Sequence, residues 1–170
     1  MQSSQLLDLV IRDEASLSHA SDILHDAVFL AGSWCHDEEN RCFRLRLWRE
    51  VPEVFKRKKL FLCLSRLIFQ RAACELTVHQ VNRAVVRVRD RLDCYNLFGI
   101  RHFRERGILV FETEGAVSVE ASIANLDCRL LDTGETAWNQ HGYSFLSFSW
   151  RGKNKGSSEG SSGDAIHNSE

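Results

Sequence analysis

The stretch that decides the fold is residues 107–138, GILVFETEGAVSVEASIANLDCRLLDTGETAW. Apolar residues recur in it at every second position, most clearly at Val117, Val119, Ala121 and Ile123. Successive side chains of a strand point to opposite faces, so a period of two indicates a sheet with one buried face. The stretch therefore predicts three neighbouring strands, at residues 108–112, 117–123 and 126–131.

Near the amino end, one helix is predicted from Glu14 to Asp26, after a short strand at residues 6–12. Asp13 precedes the helix as an N-cap, and Glu14 places a negative charge in the first turn, where the helix dipole favours it. The helix then carries apolar residues at three- and four-residue spacing, as on one buried face: Leu17, Ala20, Ile23, Leu24 and Ala27.

The other apolar runs predict further strands, at residues 28–35, 42–49, 60–69, 74–81, 84–89, 95–103 and 143–150. Residues 60–73 fit a short helix equally well. Residues 36–40, HDEEN, are predicted to form a polar turn, and residues 55–59 a basic connector. Pro52 is predicted to end the strand before it, because proline cannot donate to a sheet ladder. Gly99 indicates a β-bulge.

These patterns together predict an α+β fold, mainly antiparallel β, arranged as a two-layer sandwich or a partly closed barrel with one N-terminal helix. A chain of 170 residues with 44% hydrophobic residues suits one domain with a buried core. That domain is predicted to cover residues 1–151. Residues 152–170, GKNKGSSEGSSGDAIHNSE, are rich in Gly and Ser without apolar periodicity, which predicts a disordered tail.

The formal net charge of −1 hides a strong asymmetry. Between Arg41 and Arg106 there are 17 Lys+Arg and 6 Asp+Glu, whereas the remainder has 5 and 17. One interpretation is a nucleic-acid or anion-binding surface, because guanidinium groups bind phosphate through two parallel hydrogen bonds. Its residues would be Arg44, Arg46, Lys58, Arg87 and Arg89, with Trp48 and Tyr95 available to stack on bases.

The other interpretation is that the two halves neutralise each other within the fold. Glu112, Glu114 and Glu120 lie on acidic strands that could stand opposite the arginines, and such cross-strand pairs contribute roughly 0.2–1 kcal/mol each. We favour this interpretation, because a dedicated nucleic-acid domain is usually basic overall.

Catalytic and metal-binding motifs give weak signals. The chain has no Gly-x-Ser-x-Gly elbow, phosphate loop or dinucleotide fingerprint. His25 beside Asp26 could be an oriented base, but a helix C-terminus also favours histidine. Residues 35–39, CHDEE, offer metal-ligand types, yet Cys35 and Cys42 lack the close pairing of zinc sites. We therefore predict no catalytic residue, metal or cofactor, and keep a small enzyme with an unrecognised site as an alternative.

The six cysteines are expected to be reduced, several of them buried as small apolar residues. No apolar run approaches the roughly 20 residues that a membrane-spanning helix needs. The amino end lacks the basic and apolar regions of a signal peptide. A cytoplasmic location without a membrane partner is therefore predicted.

Five phrases spread along most of residues 6–138 are LLDLVIRDEASL (6–17), ILHDAVFLAG (23–32), NRCFRLRLWR (40–49), LTVHQVNRAVVRVRDR (76–91) and AVSVEASIANLDCRLLDTGETAW (116–138). Their joint order resembles an uncharacterised bacterial family, a domain of unknown function found mainly in small β-rich cytoplasmic proteins of alpha-proteobacteria. The segment at residues 54–73 is longer than that family's short basic connector, and the Gly/Ser tail is a further departure. The resemblance implies no activity and no site residue.

The functional prediction is a non-catalytic cytoplasmic binding or interaction module. Its partner would be a protein that meets an exposed sheet edge. The alternative partner is nucleic acid, held by the basic strand faces of residues 41–106.

Overall fold

The computed structural model describes the backbone of residues 6–59, 64–145 and 148–151, and the side chains of residues 6–56 and 67–138. Its elements in chain order are β1 (Asp8–Ile11), α1 (Glu14–Leu24), β2 (Ala27–Leu30), β3 (Trp34–Asp37), β4 (Cys42–Lys59), β5 (Leu64–Val78), β6 (Val81–Val88), β7 (Cys94–Phe103), a 3₁₀ turn (Arg104–Arg106), β8 (Ile108–Thr113), β9 (Val117–Ile123), β10 (Cys128–Phe145) and β11 (Phe148–Arg151). The tail predicted at residues 152–170 lies outside the described residues.

The described strands form one antiparallel sheet that does not close. Their order is β1-β10-β5-β4-β2-β7-β8-β9-β6, with β3 beside β4 and β11 beside β10. The predicted α+β, sheet-dominated fold is therefore confirmed. At one end, the backbone N–H of Val81 donates to the carbonyl of Arg41 at 2.8 Å, which brings the start of β6 against the chain just before β4.

The deciding stretch forms strands as predicted. In β9 every second residue from Val117 to Ile123 is buried. Across the β8–β9 ladder Leu109 pairs with Ala121 and Phe111 with Val119, and all four side chains are buried. The period of two thus places one face of this stretch in the hydrophobic core that α1 and most of the described strands share.

Helix α1 starts as predicted and ends two residues early. The Asp13 carboxylate accepts the backbone N–H of Ser16 at 2.8 Å, and the Ser16 hydroxyl accepts the N–H of Asp13 at 3.2 Å, which makes a capping box. The last helical residue is Leu24, because Asp26 has a φ of 65°, a left-handed conformation that a helix cannot continue.

A bulge in β7 positions α1 against the sheet. The register of the β7–β8 ladder shifts between Leu97 and Gly99, as Gly99 predicted. Just beyond it, the backbone N–H of Ile100 donates to the Ser21 hydroxyl of α1 at 3.0 Å. A Cβ at position 99 would lie 2.8 Å from the same hydroxyl, so a larger residue there would displace the Ser21 side chain that binds Ile100.

Three strand boundaries differ from the predictions. Strand β4 does not end at Pro52 but runs to Lys59, because a register shift between Val51 and Phe55 takes the proline out of the ladder. The connector predicted at residues 55–59 is therefore strand. Within the described residues, the strands predicted at residues 60–69 and 74–81 form a single strand, β5. The short helix considered as the alternative at residues 60–73 is therefore excluded where the chain is described.

Two further predicted strands each correspond to two separate strands in the structure. The strand predicted at residues 28–35 is two strands, β2 and β3, with Gly32 between them at a φ of 78°. A left-handed glycine turns the chain, so an apolar run can cross it without remaining one strand. The run predicted at residues 143–150 contributes the end of β10 and β11, with residues 146–147 outside the described part.

A buried ion pair ties β4 to β10 and β1. The Arg49 guanidinium donates from Nε and Nη2 to the two carboxylate oxygens of Asp132 at 2.9 and 2.6 Å. The Asp132 carboxylate also accepts the backbone N–H of Leu7 at 3.0 Å. Only 4% of the Asp132 side chain is exposed, so its charge depends on these donors.

Candidate anion-binding cleft

A cleft of about 500 Å³ lies where β1 and β10 meet two turns, the one before β4 and the one between β5 and β6. We call it the cationic cleft. It is lined by Val10, Arg12, Asn40, Arg41, His79, Gln80, Asp127, Cys128 and Arg129.

The two turns that form the cleft are held by backbone hydrogen bonds. The N–H of His79 donates to the carbonyl of Asp127 at 2.8 Å, and the adjacent Gln80 has a φ of 55°. The side chain of Gln80 accepts from the Asn125 amide at 3.2 Å. His79 is therefore presented by a tight turn, with the start of β10 beside it.

Arg129 and Arg12 are each oriented by a carboxylate. Arg129 donates from Nε and Nη2 to the two oxygens of Asp8, at 2.9 and 2.7 Å, and this hydrogen bonding lowers the pKa of Asp8 below its ordinary value. Arg12 Nε lies 3.6 Å from an oxygen of Asp127, beyond ordinary hydrogen-bonding distance. Arg129 is therefore firmly paired with Asp8, whereas Arg12 is only loosely paired with Asp127.

Arg41 differs, because its partner is neutral. Its backbone is left-handed, with a φ of 50°, and its N–H donates to the carbonyl of Glu38 at 3.3 Å. Its guanidinium donates through Nη2 to the side-chain oxygen of Asn82. In the described part of the chain Arg41 forms no ion pair. Among the three arginines of the lining, Arg41 is the one without a carboxylate at ion-pair distance in the described residues.

Of the predicted site residues, Arg44 adjoins this cleft. Thr77 of β5 pairs with Arg44 of β4 on one side and with Arg129 of β10 on the other. Directly paired residues point to the same face, so the two arginines flank Thr77 on the outer face of the sheet. Arg46 lies on the same face but forms an ion pair with Glu75 at 3.3 Å.

The other predicted residues are placed elsewhere. Arg87 lies on β6 and Arg89 just beyond it, and β2, β7, β8 and β9 separate β6 from β4 in the order of the sheet. Strand β6 meets the chain before β4 only at its start, at Val81, six residues before Arg87. Arg87 Nη1 lies 3.3 Å from the Glu120 carboxylate. Lys58 belongs to β4, and its side chain is outside the described part. The strand order thus divides the predicted basic residues into two groups.

Internal neutralisation, the interpretation that we favoured, applies to part of the surface: of the predicted arginines, Arg87 pairs with Glu120 and Arg46 with Glu75. Besides the Arg87–Glu120 pair, Arg101 Nε lies 2.7 Å from the Glu112 carboxylate. Glu114 is an exception, because it accepts from the amide of Asn96 at 2.5 Å. The acidic strands β8 and β9 therefore pair with arginines of the strands beside them.

The predicted stacking role of Tyr95 is wrong. Only 2% of Tyr95 is exposed, its ring packs against Phe29, and its hydroxyl donates to the carbonyl of Asp90 at 3.2 Å. Tyr95 and Leu97 are two residues apart in strand β7, so both side chains point to the buried face and belong to the core. Trp48 is half-buried on β4.

The described thiols in the core are unsuited to nucleophilic chemistry. Burial raises the pKa values of Cys74 and Cys128 to about 12, so both are protonated at neutral pH. Cys128 is the thiol that lines the cationic cleft. No group of three or more His, Cys, Asp or Glu residues able to hold a metal occurs among the described residues.

A second cleft, of about 400 Å³, lies between α1 and β4. We call it the acidic cleft. Its lining includes the predicted His25–Asp26 pair, in which His25 Nδ1 lies 3.3 Å from an Asp26 oxygen. It is lined by His19, Asp22, Ile23, His25, Asp26, Arg49, Glu50, Pro52 and Glu53.

The sequence singled out only Arg44 near the cationic cleft. Arg12, His79 and Arg129 lie in three separate parts of the chain, and Arg129 belongs to its acidic portion. The signal that existed was weak: Arg41 immediately precedes a predicted strand, where turns bring side chains together. His79 was predicted inside the strand at residues 74–81, whereas β5 ends at Val78.

The fold and cleft define an antiparallel α+β protein with a positively charged recess at one end of its sheet. No family model matches the chain, and no curated protein or solved structure matches it significantly. The resemblance to the bacterial family of unknown function therefore stays a prediction. None of the described helices has the length and apolar character needed to cross a membrane.

Proposed function

We propose that this chain is a non-catalytic binding module whose cationic cleft holds a phosphate-class anion. The observation that carries the proposal is the charge of Arg41, which faces a neutral amide in the described structure while Arg129 and Arg12 have carboxylate neighbours. Arginine suits phosphate because its planar group donates paired hydrogen bonds and stays charged at any physiological pH.

Preorganisation supports the same proposal. A guanidinium has five N–H donors, and Arg129 commits only Nε and Nη2 to Asp8. The remaining donors are carried by a side chain whose position that carboxylate already restrains. Binding an anion then orders fewer side-chain rotamers, which lowers the entropic cost of binding.

The chemistry of the lining supports binding rather than catalysis. The Cys128 thiol in the cleft is protonated at neutral pH, because burial raises its pKa to about 12. A protonated thiol is a poor nucleophile.

The test is a titration of the full chain with inorganic phosphate at constant ionic strength, followed by amide chemical shifts. Arg41→Gln should lower the affinity about tenfold, because it removes a charged hydrogen bond. The matched control is Arg87→Gln, which removes the same charge from an exposed arginine paired with Glu120. The proposal fails if both variants weaken binding equally, or if phosphate shifts amides far from the cleft.

A sheet edge favours a second candidate, a protein that adds a strand to β4. Beyond Trp48 the outer side of β4 pairs with no described strand, and Phe55 there is 51% exposed. We rank it lower, because Pro52 and Lys56 are residue types with which sheets discourage strand addition. Slow hydrogen exchange at alternate amides of residues 53–59 in the isolated protein would contradict an open edge.

A further inference from the structure

From the geometry beside the cleft we infer that the ligand is a short chain of condensed phosphates. The inference rests on the proposed function and extends it. The chain would start at Arg41 in the cationic cleft and run over Thr77 to Arg44 on the outer face of the sheet.

The path is set by the register of three strands. Arg44, Thr77 and Arg129 form one cross-strand row on β4, β5 and β10. Adjacent strands are about 4.8 Å apart, so the backbones of the two arginines are separated by about 10 Å. Two long cationic side chains therefore stand on either side of a small hydroxyl residue.

The row continues into the cleft. His79 follows Thr77 by two residues, and residues two apart at the end of a strand share a face at a spacing of about 7 Å. His79 lines the cleft together with Arg41. The surface from Arg41 through His79 to Thr77 is thus continuous with the position of Arg44.

Arg44 is the second cation of this surface without a carboxylate at ion-pair distance in the described residues. Its side chain is exposed. Asp37 interacts electrostatically with Arg44 at longer range, and its carboxylate is oriented by the Asn40 amide at 2.7 Å and the Asn40 N–H at 3.0 Å. The low pKa of Asp37 accordingly comes first from Asn40, and Arg44 contributes less.

Carboxylates limit the length of the ligand. Beyond Arg44 on the same face, Glu75 is paired with Arg46, and beside Arg129 the carboxylate of Asp8 is half-exposed. Because these carboxylates neutralise Arg46 and Arg129, the attraction for a polyanion is concentrated between Arg41 and Arg44 and does not extend across the sheet, as a long nucleic-acid strand would need. A chain of two or three phosphates fits between them, either free or as the polyphosphate of a nucleotide.

The experiment compares phosphate, pyrophosphate, tripolyphosphate and a nucleoside triphosphate by calorimetric titration of the full chain at constant ionic strength. The wild type should bind tripolyphosphate about tenfold or more tightly than phosphate, since additional charged hydrogen bonds form. Equal affinities for tripolyphosphate and the nucleoside triphosphate would identify the phosphate chain alone as the ligand. A tighter nucleoside triphosphate would identify a nucleotide.

Arg44→Gln separates this inference from the proposed function. It should reduce the preference for tripolyphosphate over phosphate about fivefold to tenfold, whereas Arg87→Gln should leave that preference as in the wild type. An unchanged preference in Arg44→Gln, with phosphate still lost in Arg41→Gln, overturns the phosphate chain and leaves the anion cleft standing. A wild type that binds neither phosphate nor tripolyphosphate overturns both. Thermal unfolding of each variant checks that it folds.

Discussion

The cationic and acidic clefts are built from similar numbers of charged residues but have opposite character. In the cationic cleft the carboxylates of Asp127 and Asp8 are matched to arginines, and Arg41 is left over. In the acidic cleft the one arginine, Arg49, is committed to Asp132 of β10. Asp22 and Glu53 also line that cleft and outnumber any cation there.

The difference shows that structural pairing decides what a cleft can bind. A charge that already holds two strands together adds little net charge for a ligand, because its field is compensated nearby, even where some of its hydrogen-bond donors remain available. The net charge of each cleft is therefore set by the side chains that remain unpaired after such ion pairs form. Counting basic and acidic residues along the chain does not reveal this remainder.

The largest expected effect comes from breaking the pair that commits Arg49. Asp132→Ala should destabilise the protein by about 3–5 kcal/mol, because it leaves a largely buried guanidinium without its carboxylate. Urea unfolding monitored by circular dichroism measures the change. Asp8→Ala removes the carboxylate of an exposed pair and should cost far less; equal losses in the two variants would contradict the distinction.

A smaller effect is expected within the cationic cleft itself. Asp127→Asn removes the carboxylate beside Arg12 and should raise phosphate affinity about threefold. The effect is small because an exposed ion pair such as Arg12–Asp127 contributes roughly 1 kcal/mol or less. Asp22→Asn makes the same change in the acidic cleft and should not alter phosphate binding. Weaker binding in Asp127→Asn would show instead that Asp127 orients Arg12 for the ligand.

The smallest effect concerns pH. Hydrogen bonds from Arg129 lower the pKa of Asp8 from its ordinary value of 3.8. Because the folded pKa is below the unfolded one, the stability from this pair is present above 3.8 and is lost as pH falls through the folded pKa. In Arg129→Gln the pKa of Asp8 should return toward 3.8, as carboxyl-carbon NMR titration would show.

Asp13 provides the internal control for that titration. Its pKa is lowered by hydrogen bonds from Ser16, without an arginine. It should therefore stay low in Arg129→Gln. A parallel rise of both pKa values would mean that the variant has lost local structure, and would not support the assigned cause.

Much of the fold could be predicted from local patterns. The alternation at Val117 and Val119 and the N-cap Asp13 act within a few residues of themselves, so their structural consequences could be predicted from the sequence. The prediction at Pro52 failed because a bulge, which depends on the neighbouring strand, removed the proline from the ladder. The candidate site was harder to predict than the fold, because only Arg44 among the predicted basic residues adjoins the cationic cleft.

The sequence by itself determined that this protein is a mainly antiparallel sheet with one capped helix, because side-chain periodicity and helix capping are local effects. Only the tertiary structure decided which charges remain available. Arg129 meets Asp8, and Arg49 meets Asp132, across more than 80 residues of chain. Such pairings depend on strand order and register, which no local pattern encodes, and they leave Arg41 as the uncompensated charge of the cleft.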